Sequence, residues 1–378
     1  MTGILGAGLA TPLGLGRAAT LAAWDGDAIA IAPHPASDAL PSVAQVPGFR
    51  PRKQLPDRKA VKLMSREAQL LVYAAVEACG TDVAERLGVP PEQIGAFAAA
   101  GYEVTPLDEV VDMFDASRDP DAPARLSLPR LFAEGRHAYN PLSPLKTLPN
   151  MALFHAALSL GLRGPHLAIG SSPAAGLAAL SGAVDAIGDG TCSHALVGGT
   201  DAQTELFRIH YLHEAGVDAA PGEGAAALLL AADAPVRVAA VGLAQEPPAG
   251  PEVRGDYGEG ASAALRGALY RRLLDEAGLD RVDLVHGDFW GMPTGAHPGG
   301  ANVRDAAERS ALATLPGVVD TRIVATRPRL GHLGAAHGLV DVVLAAGAIE
   351  AGRASSALVT AGGSAGDLGA VVLVGASS

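Results

Sequence analysis

The chain has 378 residues, of which 49% are hydrophobic and only 4% aromatic, and its 40 acidic and 28 basic residues give a formal charge of −12 at pH 7. This length allows a large core, and the negative charge argues against nucleic acid or an anionic membrane as a partner, because both reward a positive field. The two cysteines, Cys79 and Cys192, are too few for a disulfide framework or a metal cluster, so we expect a cytoplasmic protein.

The first third of the chain predicts two buried strands and a helix. Residues 3–10 form an apolar run that ends in a turn containing Pro and Gly, and residues 94–102 form a second such run. Between them, an apolar-periodic segment at 64–78 predicts a helix that ends near Gly80. Charge and proline scattered over residues 105–143 predict an irregular excursion from the core.

From Asn140 onward, helix-like and strand-like segments alternate and are separated by tight glycine turns. That spacing is typical of βαβ units on a sheet. A further apolar strand is predicted at 221–231, and a second series with the same alternation begins near Arg237. Two halves of similar pattern predict an internally duplicated α/β fold.

Two features of the sequence argue against a membrane span. The N-terminus lacks the basic start of a secretory signal. The longest charge-free stretch, residues 167–184, is interrupted by Pro, Gly and Ser. We therefore expect no membrane partner.

Neither a cofactor nor a metal is expected from the motifs. The glycine-rich turns at Gly198-Gly199, 221–224 and 331–338 lack the Gly-Lys-Ser/Thr ending of a phosphate loop. The eleven histidines show neither an HExxH motif nor the spacing of a His/Cys metal site.

A turn between a predicted strand and a predicted helix is the most prominent local candidate. Ser171, Ser172 and Pro173 follow the apolar segment LAI and precede AAGLAAL. A side chain there faces the unpaired N–H groups of the helix start, which can activate a nucleophile or hold an oxyanion. The serines equally suit a helix N-cap with Pro173 at the first helical position, and capping is favoured because no base is near in sequence.

Ordered segments along nearly the whole chain resemble the β-ketoacyl synthases of fatty acid and polyketide assembly. They are GILGAGLATPLGLG, NPLSPLKTLPNMA, RGPHLAI, HALVGGTDA, PGEGAAALLL and GHLGAAHGLVDVVLAAGAI. The resemblance implies a thiolase-like α/β fold, internally duplicated in five layers, α-β-α-β-α. It places an N-terminal half at residues 1–235, with an excursion at about 104–148, and a C-terminal half at residues 236–378.

Active members of this family use a Cys nucleophile at the turn before the central helix, two histidines and a lysine. By resemblance, Pro173 stands at the nucleophile position and Arg327 at the lysine position, while His332 matches the second histidine. A gating Phe of the family is also missing from the glycine-rich turn at 362–366. Loss of a nucleophile, a base and the gate together removes the roles that decarboxylative condensation needs.

The first histidine position has two candidate residues. Strand register from Val282 places Asp288 there, whereas the spacing back from Asp305 and Glu308, which resemble an acidic pair of the family, places His297 there. We prefer Asp288, because the end of a strand decides where a side chain points, and this choice implies an insertion of about nine residues before Asp305. Both alignments stay open.

The pattern resembles most closely the chain-length factors, which are degenerate subunits of type II polyketide synthases. That resemblance implies a non-catalytic subunit in a heterodimer with an active ketosynthase α subunit, where a tunnel at the interface sets the product length. The segment at about 104–148 should then supply interface and tunnel wall. An acyl carrier protein is the other implied partner, in contact with this subunit directly or only through the ketosynthase.

Two other functions stay open. Ser171 or Ser172 could act as an acyl nucleophile with His332 or His297 as its base, in an acyltransferase or hydrolase of acyl-carrier-protein thioesters. Alternatively, a homodimer could hold an acyl chain in a retained pocket without turning it over.

Overall fold

The structure, a computed structural model, describes residues 2–37, 40–102, 105, 107–170, 172–214, 219–232, 234–247, 260–290, 300–363 and 365–376. Its strands are β1 (Thr2–Thr11), β2 (Gly14–Leu15), β3 (Ile94–Ala100), β4 (His166–Gly170), β5 (His194–Ala202), β6 (Glu223–Ala232), β7 (Val236–Gln245), β8 (Leu284–His286), β9 (Arg322–Val324), β10 (Ser356–Gly362) and β11 (Asp367–Gly375).

Its α-helices are α1 (Arg17–Asp25), α2 (Pro51–Gln54), α3 (Arg66–Cys79), α4 (Val83–Leu87), α5 (Leu107–Ala116), α6 (Leu128–Arg130), α7 (Arg136–Ala138), α8 (Ser143–Lys146), α9 (Met151–Leu160), α10 (Ala175–Gly188), α11 (Leu206–Glu214), α12 (Ala263–Ala277), α13 (Gly300–Leu312), α14 (Arg327–Leu330) and α15 (His337–Glu350). A π-helical turn at Leu131–Gly135 connects α6 to α7.

The sheet repeats one pattern twice. Its strand order is β4-β3-β5-β6-β1-β7-β11-β10-β8-β9, and β2 pairs with β1. Counted from each edge inward, three parallel strands are followed by two antiparallel ones. The halves join where Gly3 and Ile4 of β1 pair with Arg237 and Val236 of β7. The predicted internal duplication is therefore confirmed.

Helices complete a five-layer arrangement. Helix α3 packs on β1 and β6 and against α9, whereas α12 packs on β7 and β11 and against α13. Helices α10 and α15 lie between the two halves, since α10 contacts β5 and β7 while α15 contacts β6 and β10. This is the α-β-α-β-α order of a thiolase-like fold. No helix in the described ranges is long and apolar enough to cross a membrane.

Small residues allow the layers to approach closely. Gly8 of β1 faces α3, and a Cβ at that position would overlap the carbonyl oxygen of Ala74.

Helix α3 begins where the Ser65 hydroxyl accepts a hydrogen bond from the Ala68 N–H at 3.2 Å. It ends before Gly80, whose φ of 70° suits glycine. The predicted helix and its end are both confirmed.

The excursion is more regular than its sequence predicted. We expected residues 105–143 to be irregular, but α5 and several short helical turns lie there. Helix α5 has apolar residues at the i, i+3, i+4 and i+7 spacing of one helical face, at Leu107, Val110, Val111 and Phe114. The flanking prolines and charges concealed this period.

Candidate functional site

The turn that resembles the family's nucleophile position joins β4 to α10. Ser172 stabilises this turn, because its hydroxyl accepts from the Ala174 N–H at 3.0 Å and its carbonyl accepts from the Ala175 N–H at 2.9 Å. The N-cap is Ala174 rather than a serine, so Pro173 precedes the helix instead of occupying its first position. The prediction of a serine N-cap was wrong in register, although Ser172 does bind an N–H group beside the helix start.

Ser172 also connects the two halves of the molecule. Its hydroxyl donates to the carboxylate of Asp367, the first residue of β11. The pair lies in a groove of about 530 Å³ whose apolar walls include Ile169 and Ala175 from the first half and Leu243 and Leu368 from the second. The turn therefore opens onto an apolar groove between the halves.

Asp288 lies just after β8 and is 1% exposed. Its Oδ1 accepts from Nη1 of Arg327 at 2.9 Å, and its Oδ2 accepts from Nη2 of Arg266 at 3.1 Å. The backbone N–H of Asp288 donates to the Thr360 hydroxyl at 2.9 Å. Both carboxylate oxygens are thus held by guanidinium groups, as a buried carboxylate requires.

A second carboxylate extends this ion-pair network. Glu308 of α13 is fully buried and accepts from Nη1 of Arg266 at 2.7 Å and from the Tyr270 hydroxyl at 2.6 Å. Its other oxygen accepts from the Thr360 hydroxyl at 2.8 Å. Asp305, one turn earlier, accepts from the backbone N–H of Trp290 at 2.8 Å. The acidic pair noted in the sequence therefore binds partners inside the C-terminal half.

Electrostatic effects fix the charge states in this network. Burial by itself would raise the pKa of Asp288, but Arg327 and Arg266 outweigh that effect and hold its pKa below the ordinary value. Burial, assisted by the Glu308 carboxylate, raises the pKa of Tyr270 well above its ordinary value. Asp288 is consequently a permanent anion at neutral pH, and Tyr270 stays a neutral hydrogen-bond donor.

Trp290 links Arg327 to His332. The guanidinium carbon of Arg327 lies 4.4 Å from the Trp290 ring centroid, and that of Arg304 lies 4.3 Å from it. The ring centroids of Trp290 and His332 are 4.6 Å apart. Burial, together with the charge of Arg327, lowers the pKa of His332 well below its ordinary value, so its imidazole is neutral at pH 7.

A neighbouring histidine is also held neutral. His337, the first residue of α15, has its Nε2 2.9 Å from the Thr326 hydroxyl and 3.7 Å from Asp341. Burial and the charge of Arg327 lower the pKa of His337 to about 4. On the opposite side, His286 lies 3.7 Å from Asp341.

The loop that carries His332 is fixed by Asp201 at the end of β5. The Asp201 carboxylate accepts from the N–H groups of Ala202 and Ala335 at 2.9 and 3.2 Å. Gly334 passes so close that a Cβ there would overlap this carboxylate, and its φ is 46°. Burial raises the pKa of Asp201.

The structure brings together most of the residues that resemblance singled out. Asp288 and Arg327 are in direct contact, and Trp290 connects them to His332. Pro173 lies at the start of α10 and faces the start of α15, where a Cβ on Gly338 would lie 3.2 Å from the Pro173 carbonyl oxygen. Ser171 and His297 lie outside the described residues, so the choice of Asp288 over His297 stays a prediction.

Sequence reasoning missed Arg266 and Trp290. Arg266 lies in the charged segment LRGALYRRLLDEA, where nothing distinguishes the one arginine that turns into the core. A usable signal was its i, i+4 spacing from Tyr270, which puts both side chains on one helical face. Cys79 takes no part here, since it is buried in α3 and burial raises its pKa to about 12.

Two family profiles match the amino-acid sequence of this chain. The family profile "Beta-ketoacyl synthase, N-terminal domain" matches residues 18–243, and "Beta-ketoacyl synthase, C-terminal domain" matches residues 258–358. The chain therefore belongs to the β-ketoacyl synthase family. No curated protein sequence matches it.

Several solved structures share the fold over their whole length. The ishigamide ketosynthase/chain length factor is 24% identical, with a TM-score of 0.67 and 99% of both chains covered. The type II polyketide synthase ketosynthase AntDE, solved with the acyl-carrier protein AntF and bound to the hexaketide, is 14% identical, with a TM-score of 0.71 and 99% of both chains covered. A β-ketoacyl synthase from Burkholderia phymatum STM815 is 17% identical, with a TM-score of 0.73 and 100% of this chain and 99% of that one covered.

Proposed function

We propose that this protein is a non-catalytic chain-length factor, which pairs with an active ketosynthase and shapes the tunnel that receives the growing chain. The main observation that supports this proposal is the ion pair between Asp288 and Arg327. In the family pattern these positions hold a histidine and a lysine, and a buried carboxylate bonded to two guanidinium groups cannot exchange protons at neutral pH. Pro173, at the nucleophile position, has no group that can be acylated.

An exposed sheet edge supports the heterodimer. The edge strand β4 is largely exposed, and an apolar groove of about 430 Å³ lies between it and α9, lined by Leu153, Phe154, Leu158 and Ala168 among others. An unpaired strand edge beside apolar side chains is normally covered by a partner. A fold-related subunit would cover it with a matching edge.

The excursion carries a second set of exposed apolar side chains. Many of its large apolar side chains are exposed in the isolated chain, namely Val111, Phe114, Leu126, Leu128, Phe132, Leu142, Leu145 and Leu148. Single exposed leucines are ordinary, but a set of this size within one segment marks an interaction surface. We assign this segment to the ketosynthase interface and to the tunnel wall.

A basic surface supports direct contact with the acyl carrier protein. Within a chain of net charge −12, residues 50–66 carry seven Arg and Lys residues and one acidic residue. Arg52, Lys53, Arg58, Lys59 and Lys62 are exposed there. Such a local positive field attracts an acidic partner even when the whole molecule is negative.

The tunnel assignment can be tested through product length. Phe132 is 67% exposed within the excursion, and Phe132→Ala would remove bulk from the tunnel wall. In a reconstituted system of ketosynthase, this subunit, malonyl-loaded carrier protein and a starter, we expect Phe132→Ala to shift products toward longer chains by mass spectrometry. Val319→Ala, at an apolar residue of the other half that is 94% exposed, is the control. An unchanged product distribution in Phe132→Ala would remove the tunnel assignment.

One contact favours a second candidate, a serine-dependent acyltransferase or hydrolase. The Ser172 hydroxyl donates to the Asp367 carboxylate beside an apolar groove, so a proton acceptor is already in place. This candidate requires that the chain alone releases or transfers acyl groups from acyl-carrier-protein thioesters and that Ser172→Ala or Ser171→Ala abolishes the reaction. Equal turnover by the wild type and both variants would eliminate it.

A further inference from the structure

A cavity of about 390 Å³ lies beside β9, the outermost strand of the C-terminal half. Its walls include Phe289, Leu312, Ala313 and Ile323, and the lining is apolar except for one side chain, Arg309 of α13. Small-molecule sites in proteins have this size and this composition, with mostly apolar walls and a few polar groups that fix the orientation of the ligand. The cavity is therefore large enough to be considered as a binding site.

The aromatic wall of this cavity is fixed by the backbone beneath it. The Phe289 ring folds back over Gly287, where a Cβ would lie only 2.4 Å from a ring carbon. Phe289 is 4% exposed, whereas Ile323 across the cavity is 45% exposed. An apolar ligand group would remove the exposed surface of Ile323 from water, and burial of apolar surface is favourable.

Arg309 supplies a positive charge at the wall of this cavity. Its guanidinium carbon lies 4.9 Å from the Phe289 ring centroid. This stacking orients the guanidinium without using its N–H groups as donors to an acceptor. Among the described residues none accepts a hydrogen bond from the Arg309 side chain, although its charge acts on Asp305, one turn earlier. The N–H groups of Arg309 are thus available to a ligand that enters the cavity.

We propose that this cavity binds a fatty acid, with the carboxylate on Arg309 and the hydrocarbon chain against Phe289 and Ile323. A guanidinium edge offers two parallel N–H donors, which match the two oxygens of a carboxylate. The residues that line this cavity are different from those that line the groove beside Ser172. The site is therefore independent of the role of that groove and of whether the chain pairs with a ketosynthase through β4.

Isothermal titration calorimetry on the full-length chain, in whichever oligomeric form it purifies, tests the site. Octanoate is the probe, at concentrations below those at which it forms micelles. Octanol has the same chain without the charge, and acetate has the carboxylate without the chain. Arg309→Gln removes the charge at an exposed position, and Arg322→Gln makes the same change beside Ile323 on β9, at an exposed arginine outside the cavity lining.

The expected result is saturable binding of octanoate to the wild type and to Arg322→Gln, with at least about tenfold weaker affinity in Arg309→Gln. Octanol and acetate should each bind more weakly than octanoate, because each lacks one of the two groups that the cavity matches. Equal octanoate affinity in Arg309→Gln and the wild type, octanol binding as tight as that of octanoate, or no saturable binding would overturn the proposal.

A pair of size variants locates the ligand without changing any charge. Ala313 is exposed and lines the cavity, so Ala313→Phe would fill it, whereas Ala306→Phe adds the same ring at an exposed position of α13 outside the lining. Octanoate binding should be lost in Ala313→Phe and kept in Ala306→Phe, while thermal unfolding checks that both variants fold. Binding by a folded Ala313→Phe as tight as that of the wild type would refute the site. If Ala313→Phe does not fold, the comparison of Arg309→Gln with Arg322→Gln decides.

Discussion

Asp288 decides the chemistry of the site at the scale of single residues. A neutral histidine in its place could accept or donate a proton near pH 7, whereas a carboxylate bonded to Arg266 and Arg327 stays charged. Arg327 likewise cannot take part in proton transfer as a lysine could, because a guanidinium does not deprotonate in proteins. In the proposed alignment, a permanent buried ion pair between Asp288 and Arg327 stands where active family members have a histidine and a lysine.

The first prediction concerns stability. Asp288→Asn leaves two buried guanidinium groups without their shared anion, and we expect a loss of about 3–5 kcal/mol in the free energy of unfolding. Asp320→Asn is the control, because Asp320 is 76% exposed and lies 3.5 Å from Arg281 in a surface pair; such pairs are worth roughly 1 kcal/mol or less. Denaturant unfolding of both variants gives the comparison. Similar losses in the two variants would contradict a structural role for Asp288.

The site could be predicted from sequence only in part. Strand register singled out Asp288, and the resemblance singled out Arg327 and His332. The structure places Asp288 and Arg327 in contact and His332 beside them across Trp290. Arg266 escaped, because an arginine in an amphipathic helix is normally exposed and its burial depends on partners distant in sequence. Glu308 lies 42 residues from Arg266, and only the packing of α12 against α13 brings them together.

At the scale of elements, the edge strand β4 is the part of the sheet that we expect to bind the ketosynthase. Strands β4 and β9 occupy equivalent edge positions in the duplicated sheet, and an apolar groove lies beside each, lined by Ala168 at β4 and by Ile323 at β9. The excursion, with its set of exposed apolar side chains, belongs to the same half of the chain as β4, and we therefore expect the partner at β4. Strand β4 was predictable from its short apolar run, which lies between Gly164 and Gly170. Helix α5 was not, because a single ten-residue period is easily hidden by the prolines and charges around it.

The second prediction uses this pair of edges. Leu167 of β4 and Ile323 of β9 are 40% and 45% exposed, so aspartate at either position is similarly accessible to solvent in the isolated chain. Leu167→Asp should weaken association with the ketosynthase at least roughly tenfold, because an interfacial carboxylate would lose its hydration. Ile323→Asp should leave association unchanged. Titration by biolayer interferometry measures both, and equal effects would show that β4 is not the interface.

At the scale of the whole molecule, buried neutral histidines make the fold sensitive to acid. The pKa values of His332 and His337 are lowered in the folded state, so an unfolded chain with ordinary histidines binds protons first as the pH falls. The stabilisation is therefore complete above about pH 6.5 and decreases as the pH falls toward the folded-state pKa. For His337 that lower limit is about 4.

The third prediction follows from this linkage. The free energy of unfolding should fall from about pH 6.5 to pH 4.5, by up to about 1.4 kcal/mol per pH unit for each buried histidine. His337→Gln should reduce the slope, whereas His137→Gln, at an exposed histidine, should not. Denaturant unfolding at a series of pH values provides the measurement. Equal slopes in the two variants would rule out His337 as a source of acid sensitivity.

We propose that this chain works as one half of a heterodimer. The most direct test is co-expression with the ketosynthase encoded nearest to it, followed by size-exclusion chromatography with mass determination. We predict a one-to-one complex, together with poor solubility of this chain alone, because its exposed apolar edge would be covered only in the complex. A stable homodimer that does not bind the ketosynthase would contradict the account and favour an acyl-binding protein or a serine-dependent enzyme.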